Sequence, residues 1–167
     1  FEMDMLNFVF SDKTIAVAQR DGENINRNIY ILENIGSLKL VDKGWNLTSL
    51  GNGQIAFLQH DQETDANNLI VFDSSDSDNG FKIKRNFAAI YAVGDGELLL
   101  VERINGGSDF SISLLQTNPK KEEYLGRSSS DKVLLHKNSG LLFVDLVIPF
   151  QSDMSEIIFT VSIDELK

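Results

Sequence analysis

Three features of the sequence predict an all-β, β-propeller-like fold. They are a fourfold internal repeat, a compact polar turn at the same place in each copy, and strands that are apolar at both parities. The second strand of each unit starts at Ile15, Ile55, Leu98 and Leu141, at spacings of 40, 43 and 43 residues. That is the period of a propeller blade, a unit that cannot bury both of its faces without neighbours. The predicted units cover approximately 6–41, 45–85, 87–125 and 131–167, each a four-stranded antiparallel blade, within one domain spanning 1–167.

Taken in order, unit one opens with the strand Leu6 to Phe10, turns at Asp12-Lys13-Thr14 and returns through Ile15 to Ala18. The matching turns of the later units are Gly51-Asn52-Gly53-Gln54, Gly94-Asp95-Gly96-Glu97 and Lys137-Asn138-Ser139-Gly140. Asn-Gly and Asp-Gly pairs tolerate positive φ, so these clusters read as hairpins joining first and second strands. In the first three units the third strand starts 14 residues after the second, at Ile29, Leu69 and Ile112. The fourth unit is looser: its run Leu141 to Phe150 delays the next strand to about Ile157, which an insertion in the connecting loop would explain.

Ile15 to Ala18, Ile29 to Leu32, Leu69 to Phe72 and Leu98 to Val101 are apolar at both parities, the pattern of central strands covered on two sides. Leu38-Lys39-Leu40 and Phe81-Lys82-Ile83-Lys84 alternate instead and read as outermost strands, whose lysines discourage edge-to-edge pairing. Trp45, where one unit passes to the next, reads as a packing residue between blades.

The ends are asymmetric. Phe1-Glu2-Met3-Asp4-Met5 alternates like an outer strand but precedes the first strand of unit one, while the last unit stops at Ser162 to Lys167, where its own outer strand is due. Either residues 1–5 form a closing strand for the last blade of a four-bladed ring, or the chain is part of a larger propeller, and a start at Phe rather than Met fits processing or excision. Open blade edges would favour self-association.

Length and composition fit one soluble domain: 167 residues, 42% hydrophobic and 24% charged. No apolar run reaches the roughly 20 residues of a membrane helix, so no membrane insertion is expected. A net charge of −10, from 15 basic and 25 acidic residues, argues against nucleic acid and anionic membrane surfaces as partners. The absence of cysteine leaves the compartment open, with a periplasmic or extracellular setting preferred to the cytoplasm. Asn46-Leu47-Thr48 is a glycosylation sequon, meaningful only in a eukaryotic secretory context.

Ile15-Ala16-Val17-Ala18-Gln19-Arg20-Asp21-Gly22 followed by Asn28-Ile29-Tyr30-Ile31-Leu32 resembles the TolB-like propeller repeat, within the broader WD-like class, and Ile55-Ala56-Phe57 with Asn68-Leu69-Ile70-Val71-Phe72 resembles a second copy. About half the chain takes part. It departs from the family at Ser11-Asp12-Lys13, where Ser-Pro-Asp-Gly is usual. The resemblance implies protein binding, as in some relatives, or the substrate-gating role of the propellers attached to prolyl-oligopeptidase-like peptidases.

Candidate binding residues follow from the alignment of units. Loops between second and third strands share one end of the assembly, and loops on a rigid scaffold are where binding residues gather. Arg20, His60 and Arg103 occupy equivalent positions at the ends of second strands, followed closely by Asp21, Asp61 and Asp109. No catalytic signature is present: the sequence has no Gly-x-Ser-x-Gly elbow, no Walker loop and no dinucleotide-binding glycine pattern. No metal site is expected, since Asp73, Asp76 and Asp78 are out of register for a calcium loop and His60 and His136 stand far apart. No cofactor is called for. The expectation is therefore a non-catalytic module that binds a protein partner, the alternative being an accessory propeller of a larger hydrolase whose catalytic residues lie elsewhere.

Overall fold

A computed structural model describes residues 5–11, 14–19, 27–34, 37–73, 76, 78–104, 108–128, 131, 133–138, 141–150 and 155–162. Every regular element among them is a β-strand and every pairing is antiparallel. The predicted all-β class is what the chain adopts. No helix among the described residues is long and apolar enough to cross a membrane.

The strands run in order as β1 (Met5–Ser11), β2 (Thr14–Gln19), β3 (Arg27–Asn34), β4 (Ser37–Ser49), β5 (Gln54–Asp61), β6 (Ala66–Asp73) and β7 (Gly80–Ile83). There follow β8 (Phe87–Gly94), β9 (Glu97–Arg103), β10 (Phe110–Thr117), β11 (Lys120–Ser128), β12 (Val133–Asn138), β13 (Leu141–Phe150) and β14 (Ser155–Ser162). Sequential neighbours pair throughout, giving a seven-stranded sheet β1 to β7, a four-stranded sheet β8 to β11 and a three-stranded sheet β12 to β14.

The seven-stranded sheet contains a bend that divides it into two meanders. β4 pairs with β3 as far as Gly44, opposite Arg27, and with β5 from Trp45, opposite Leu58. At the crossing Gly44 is buried so tightly that a Cβ there would overlap the Phe57 ring and the Leu58 carbonyl. Two residues on, Asn46 takes φ 53°, in the left-handed region that asparagine tolerates better than most residues. Its side-chain amide donates to the Ile90 carbonyl at 3.2 Å, pinning the bend to β8. The outer strand of the first meander thus continues directly into the inner strand of the second, where a break had been expected near residues 41–45.

Two-faced apolar strands have a direct structural counterpart. Ile55 and Phe57 of β5, with Phe72 of β6, pack against Ala16, Ile29 and Ile31 of the first meander. The alternate residues Ala56, Leu58, Leu69 and Val71 pack against Phe87, Ile90, Leu98, Leu100 and Leu115 of the third. Leu99 and Val101 turn the other way, into a cluster with Ile112 and Leu114. Full burial of one such aliphatic side chain stabilises by roughly 1.5–3 kcal/mol, so the β-meanders are held as a stack of faces. Trp45 packs on the cluster between the second and third meanders. The first strands also converge, β1 against β4 and β4 against β8.

Three local expectations are revised. Leu38 and Leu40 are 39% and 51% exposed, because their register partners Leu32 and Tyr30 lie on the side of the first meander opposite to Ile31 and the second meander. Alternation correctly marks an outer strand there but does not say which side is covered. The run Leu141 to Phe150 is not a strand followed by an inserted loop; it is one 10-residue strand, paired with β14 from Phe143–Ser162 to Phe150–Ser155. The Asp95-Gly96 hairpin carries positive φ at Gly96, 72°, and a register shift between Ala92 and Gly94, so it closes with a bulge rather than as a turn with two positive φ values. Of the proposed closing strand, residues 1–4 lie outside the described residues and Met5 is the first residue of β1.

Candidate functional site

β5 ends in His60 and Asp61, and a tight turn then carries the chain into β6. Asp61 organises that turn. Its Oδ1 accepts the backbone N–H groups of Glu63 at 3.0 Å and Thr64 at 3.4 Å, and the Glu63 bond in particular holds the carboxyl below the usual aspartate range. Asp65, at φ 51°, completes the reversal.

His60 faces into the seam between the second and third meanders. Its Nδ1 is 3.1 Å from Asn67 Oδ1, while Asn67 Nδ2 donates to the Phe87 carbonyl at 3.1 Å. Because the amide nitrogen is committed to that carbonyl, the amide oxygen accepts, and His60 donates from Nδ1. Its Nε2 then points towards the exposed Asp65 carboxylate, 3.8 Å away.

The connector between β7 and β8 continues the seam. The Asn67 backbone N–H donates to Asn86 Oδ1 at 3.4 Å, and the Arg103 N–H donates to the Asn86 carbonyl at 2.8 Å. Beyond Arg103, the Ile104 N–H donates to the Asp109 carbonyl at 2.9 Å, closing the base of the β9–β10 loop. The Arg103 guanidinium lies over the Phe110 ring, 5.2 Å from its centroid, which fixes an otherwise exposed cation.

Four of the six sequence-derived candidates therefore share one hydrogen-bonded edge. His60 and Asp61 come from the end of β5, Arg103 from the end of β9 and Asp109 from the β9–β10 loop, and Asn67 and Asn86 join them. Arg20 and Asp21 lie outside the described residues.

Beside this edge is an ion cluster that motif reading missed. Arg85 Nη1 lies 3.1 Å from Glu102 Oε2, and Nη2 meets both oxygens of Glu122 at 2.8 and 2.7 Å. Ser113 Oγ donates to Glu122 Oε1 at 2.7 Å, and the guanidinium stacks on Phe87 at 5.0 Å. One cation thus faces two half-buried carboxylates, and burial pushes the Glu102 carboxyl above its usual range despite Arg85. Nothing in the sequence spacing of Arg85, Glu102 and Glu122 announces this; only the pairing of β9, β10 and β11 unites them.

The opposite end is closed by its own turns. The Gly96 N–H donates to the Leu50 carbonyl at 2.8 Å and the Thr117 N–H to the Gly96 carbonyl at 2.8 Å, so three hairpin ends interlock. A Cβ at Gly96 would come within 2.6 Å of Asn52 Nδ2. That end offers backbone committed to itself, whereas the His60–Arg103 edge presents side chains of both charges. The groups there can form ion pairs and hydrogen bonds, but no nucleophile stands against a base in a catalytic relation among them.

No protein-family model matches this chain, and no curated protein does. The functional reading therefore rests on its own residues.

Proposed function

We propose that this chain is a non-catalytic, protein-binding module of the β-propeller kind, as the TolB-like repeat implies. Its blades are the stacked meanders, and its docking surface is the loop end carrying His60, Asp61, Arg103 and Asp109. The observation that carries the reading is the Asn67–Asn86 seam: it fixes the ends of β5 and β9 to one another while Arg103 and Asp109 remain exposed. A rigid edge that displays both charges loses little conformational entropy when it meets a partner of complementary charge.

Charge composition supports a protein partner over nucleic acid, which would select clustered Lys and Arg. The test is a photo-crosslinker placed at position 109 to capture the native partner, followed by affinity measurements on alanine variants. Asp61→Ala, Arg103→Ala and Asp109→Ala are expected to weaken binding, about tenfold or more where the residue is a hot spot, and Lys82→Ala on the outer strand β7 is expected to leave it intact. Unchanged binding in all three loop variants, with loss in the outer-strand variant, overturns the proposal.

A further inference from the structure

Two asparagines among the described residues stand directly before a glycine: Asn52-Gly53, between β4 and β5, and Asn79-Gly80, at the start of β7. A third such pair, Asn105-Gly106, lies outside the described residues. These pairs have a chemistry of their own. With no side chain on the glycine to shield it, the glycine nitrogen can attack the Cγ of the preceding asparagine, one reason asparagine is thermolabile. Whether it does so depends on how firmly the fold holds the peptide between them.

Asn79 is held on both sides. Its N–H donates to the Asp76 carbonyl at 3.0 Å and its carbonyl accepts the Asp73 N–H at 2.9 Å. Gly80 stands opposite Phe72 in the β6–β7 ladder, so close that a Cβ on it would overlap the Val71 carbonyl. Turning the Asn79–Gly80 peptide would break these bonds. Around Asn52 the loop closes differently: the Leu50 N–H donates to the Gln54 carbonyl at 3.0 Å and the Gly51 N–H to Ser49 Oγ at 3.3 Å, so both bonds pass around the exposed asparagine rather than through its backbone. Glycines at φ 79° and 81° flank it. Its side chain is what makes contacts, Oδ1 accepting the Gln54 N–H at 3.2 Å and Nδ2 donating to Gln54 Oε1 at 3.1 Å. The first of these bonds sets a donor on the oxygen where negative charge develops when Cγ is attacked.

We infer that Asn52-Gly53 is a site of spontaneous covalent modification, deamidation through a succinimide, from which the fold protects Asn79-Gly80. The Gly53 nitrogen gives up its proton and bonds to Asn52 Cγ, the Cγ–Nδ2 bond breaks, and the side-chain nitrogen leaves with that proton as ammonia. Water then opens the ring at either carbonyl, giving an aspartate or an isoaspartate whose main chain runs through the former side chain. The product acts on the interlocked hairpin ends. Gln54 Oε1, which accepts from Asn52 Nδ2, also accepts the Thr117 hydroxyl, and a Cβ at Gly51 would overlap the Asp95 carboxylate. Deamidation turns the Asn52 donor into a carboxylate oxygen, so two acceptors meet at Gln54 and a negative charge is added close to Asp95. The junction of the second and third meanders is thereby loosened. This end lies opposite the proposed docking surface, so the two readings stand or fall separately.

Incubation of the folded 167-residue protein in mildly alkaline buffer at physiological temperature tests it, with tandem mass mapping of the mass gain that exchange of NH2 for OH gives at each asparagine. Asn52 is expected to convert at least about tenfold faster than Asn79, because Asn79 must first open its ladder. In urea-unfolded chain the two rates are expected to converge, since both residues precede glycine. Asn52→Gln, which would have to close a larger ring, is expected to remove the conversion at this position. The converted protein, separated by charge, and Asn52→Asp are both expected to unfold at lower urea than the unconverted protein. Equal rates at Asn52 and Asn79 in the folded protein, a rate difference that survives in urea, or equal unfolding midpoints before and after conversion overturns the inference.

Discussion

The side-chain amide of Asn46 donates to the carbonyl of Ile90, 3.2 Å away, from a backbone held at φ 53°. One residue thus sets the direction of β4 and ties the second meander to the third. Replacement by glycine keeps the backbone relaxed and removes only the hydrogen bond, which costs about 1 kcal/mol. Replacement by alanine loses the same bond, keeps a Cβ at positive φ and lacks the short polar side chain that makes this conformation tolerable for asparagine, for a total of about 2–3 kcal/mol. Urea unfolding should therefore rank the proteins wild type, Asn46→Gly, Asn46→Ala. Equal midpoints for the two variants would show that the backbone conformation is not what asparagine supplies.

The same hydrogen bond bears on the sequon Asn46-Leu47-Thr48. A glycan is attached through the nitrogen that here donates to Ile90, within a half-buried seam. Expression in a glycosylating host is expected to give a chain whose intact mass carries no glycan at Asn46. A modified Asn46 in folded protein would contradict the seam.

Gly44 is expected to resist replacement. Gly44→Ala drives a Cβ into the Phe57 ring and the Leu58 carbonyl, and the carbonyl cannot move without disturbing the β4–β5 ladder. Overpacking of this kind costs typically about 1–3 kcal/mol, and more where the backbone must shift. Combining it with Phe57→Leu should recover little, since the carbonyl clash persists; full recovery of the unfolding midpoint would place the strain in the ring alone.

How far the fold could be read beforehand is seen in β9. Leu98 to Val101, apolar at both parities, implied cover on both sides, and Leu98 and Leu100 indeed enter one cluster while Leu99 and Val101 enter another. Periodicity reports burial directly, so this inference was secure. Alternation in Leu38-Lys39-Leu40 marked an outer strand but was silent on which side meets a neighbour, because that depends on residues of the next meander, in β5 and β6. The loop-end candidates followed from matching positions in the repeat. Asn67, Asn86 and Arg85 did not, because each acts through a main-chain N–H, a main-chain carbonyl or a carboxylate on another strand, and hydrogen-bond partners leave no periodic trace in sequence. The continuity of β4 was hidden for a related reason: Gly44 and Asn46 look like the turn residues of a break, and only contact with Phe57 and Ile90 shows that they bend a continuous strand.

Double-mutant analysis tests whether the meanders act as one stack. Leu58 of β5 and Leu100 of β9 are fully buried in the cluster between the second and third meanders. Each truncation to alanine should cost about 2–5 kcal/mol, and because they share one cluster the two effects should fail to add by about 0.5 kcal/mol or more. Leu58→Ala paired with Leu99→Ala, which sits in a different cluster, should add closely. Additivity in both pairs would mean that the meanders unfold as separate units.

Acid titration reads the Arg85 cluster. Glu102 has a folded-state pKa raised chiefly by burial, with Glu122 pushing in the same direction and Arg85 opposing. A carboxyl raised on folding binds its proton more readily in the folded chain, so its contribution favours the folded state as pH falls towards its ordinary range and turns unfavourable as pH rises through the folded pKa. Asp61 runs the other way: its lowered pKa stabilises above the ordinary aspartate value, and that contribution is lost as pH falls through the folded pKa. Carboxyl carbon NMR should accordingly find Glu102 titrating above, and Asp61 below, their usual midpoints. Arg85→Ala removes the one group that lowers Glu102 and should raise its midpoint further, while Asp61 stays where it was. A Glu102 midpoint that falls in this variant would mean that the guanidinium is not the carboxylate's partner in solution, and the cluster joining β9, β11 and the β7–β8 connector would have to be redrawn.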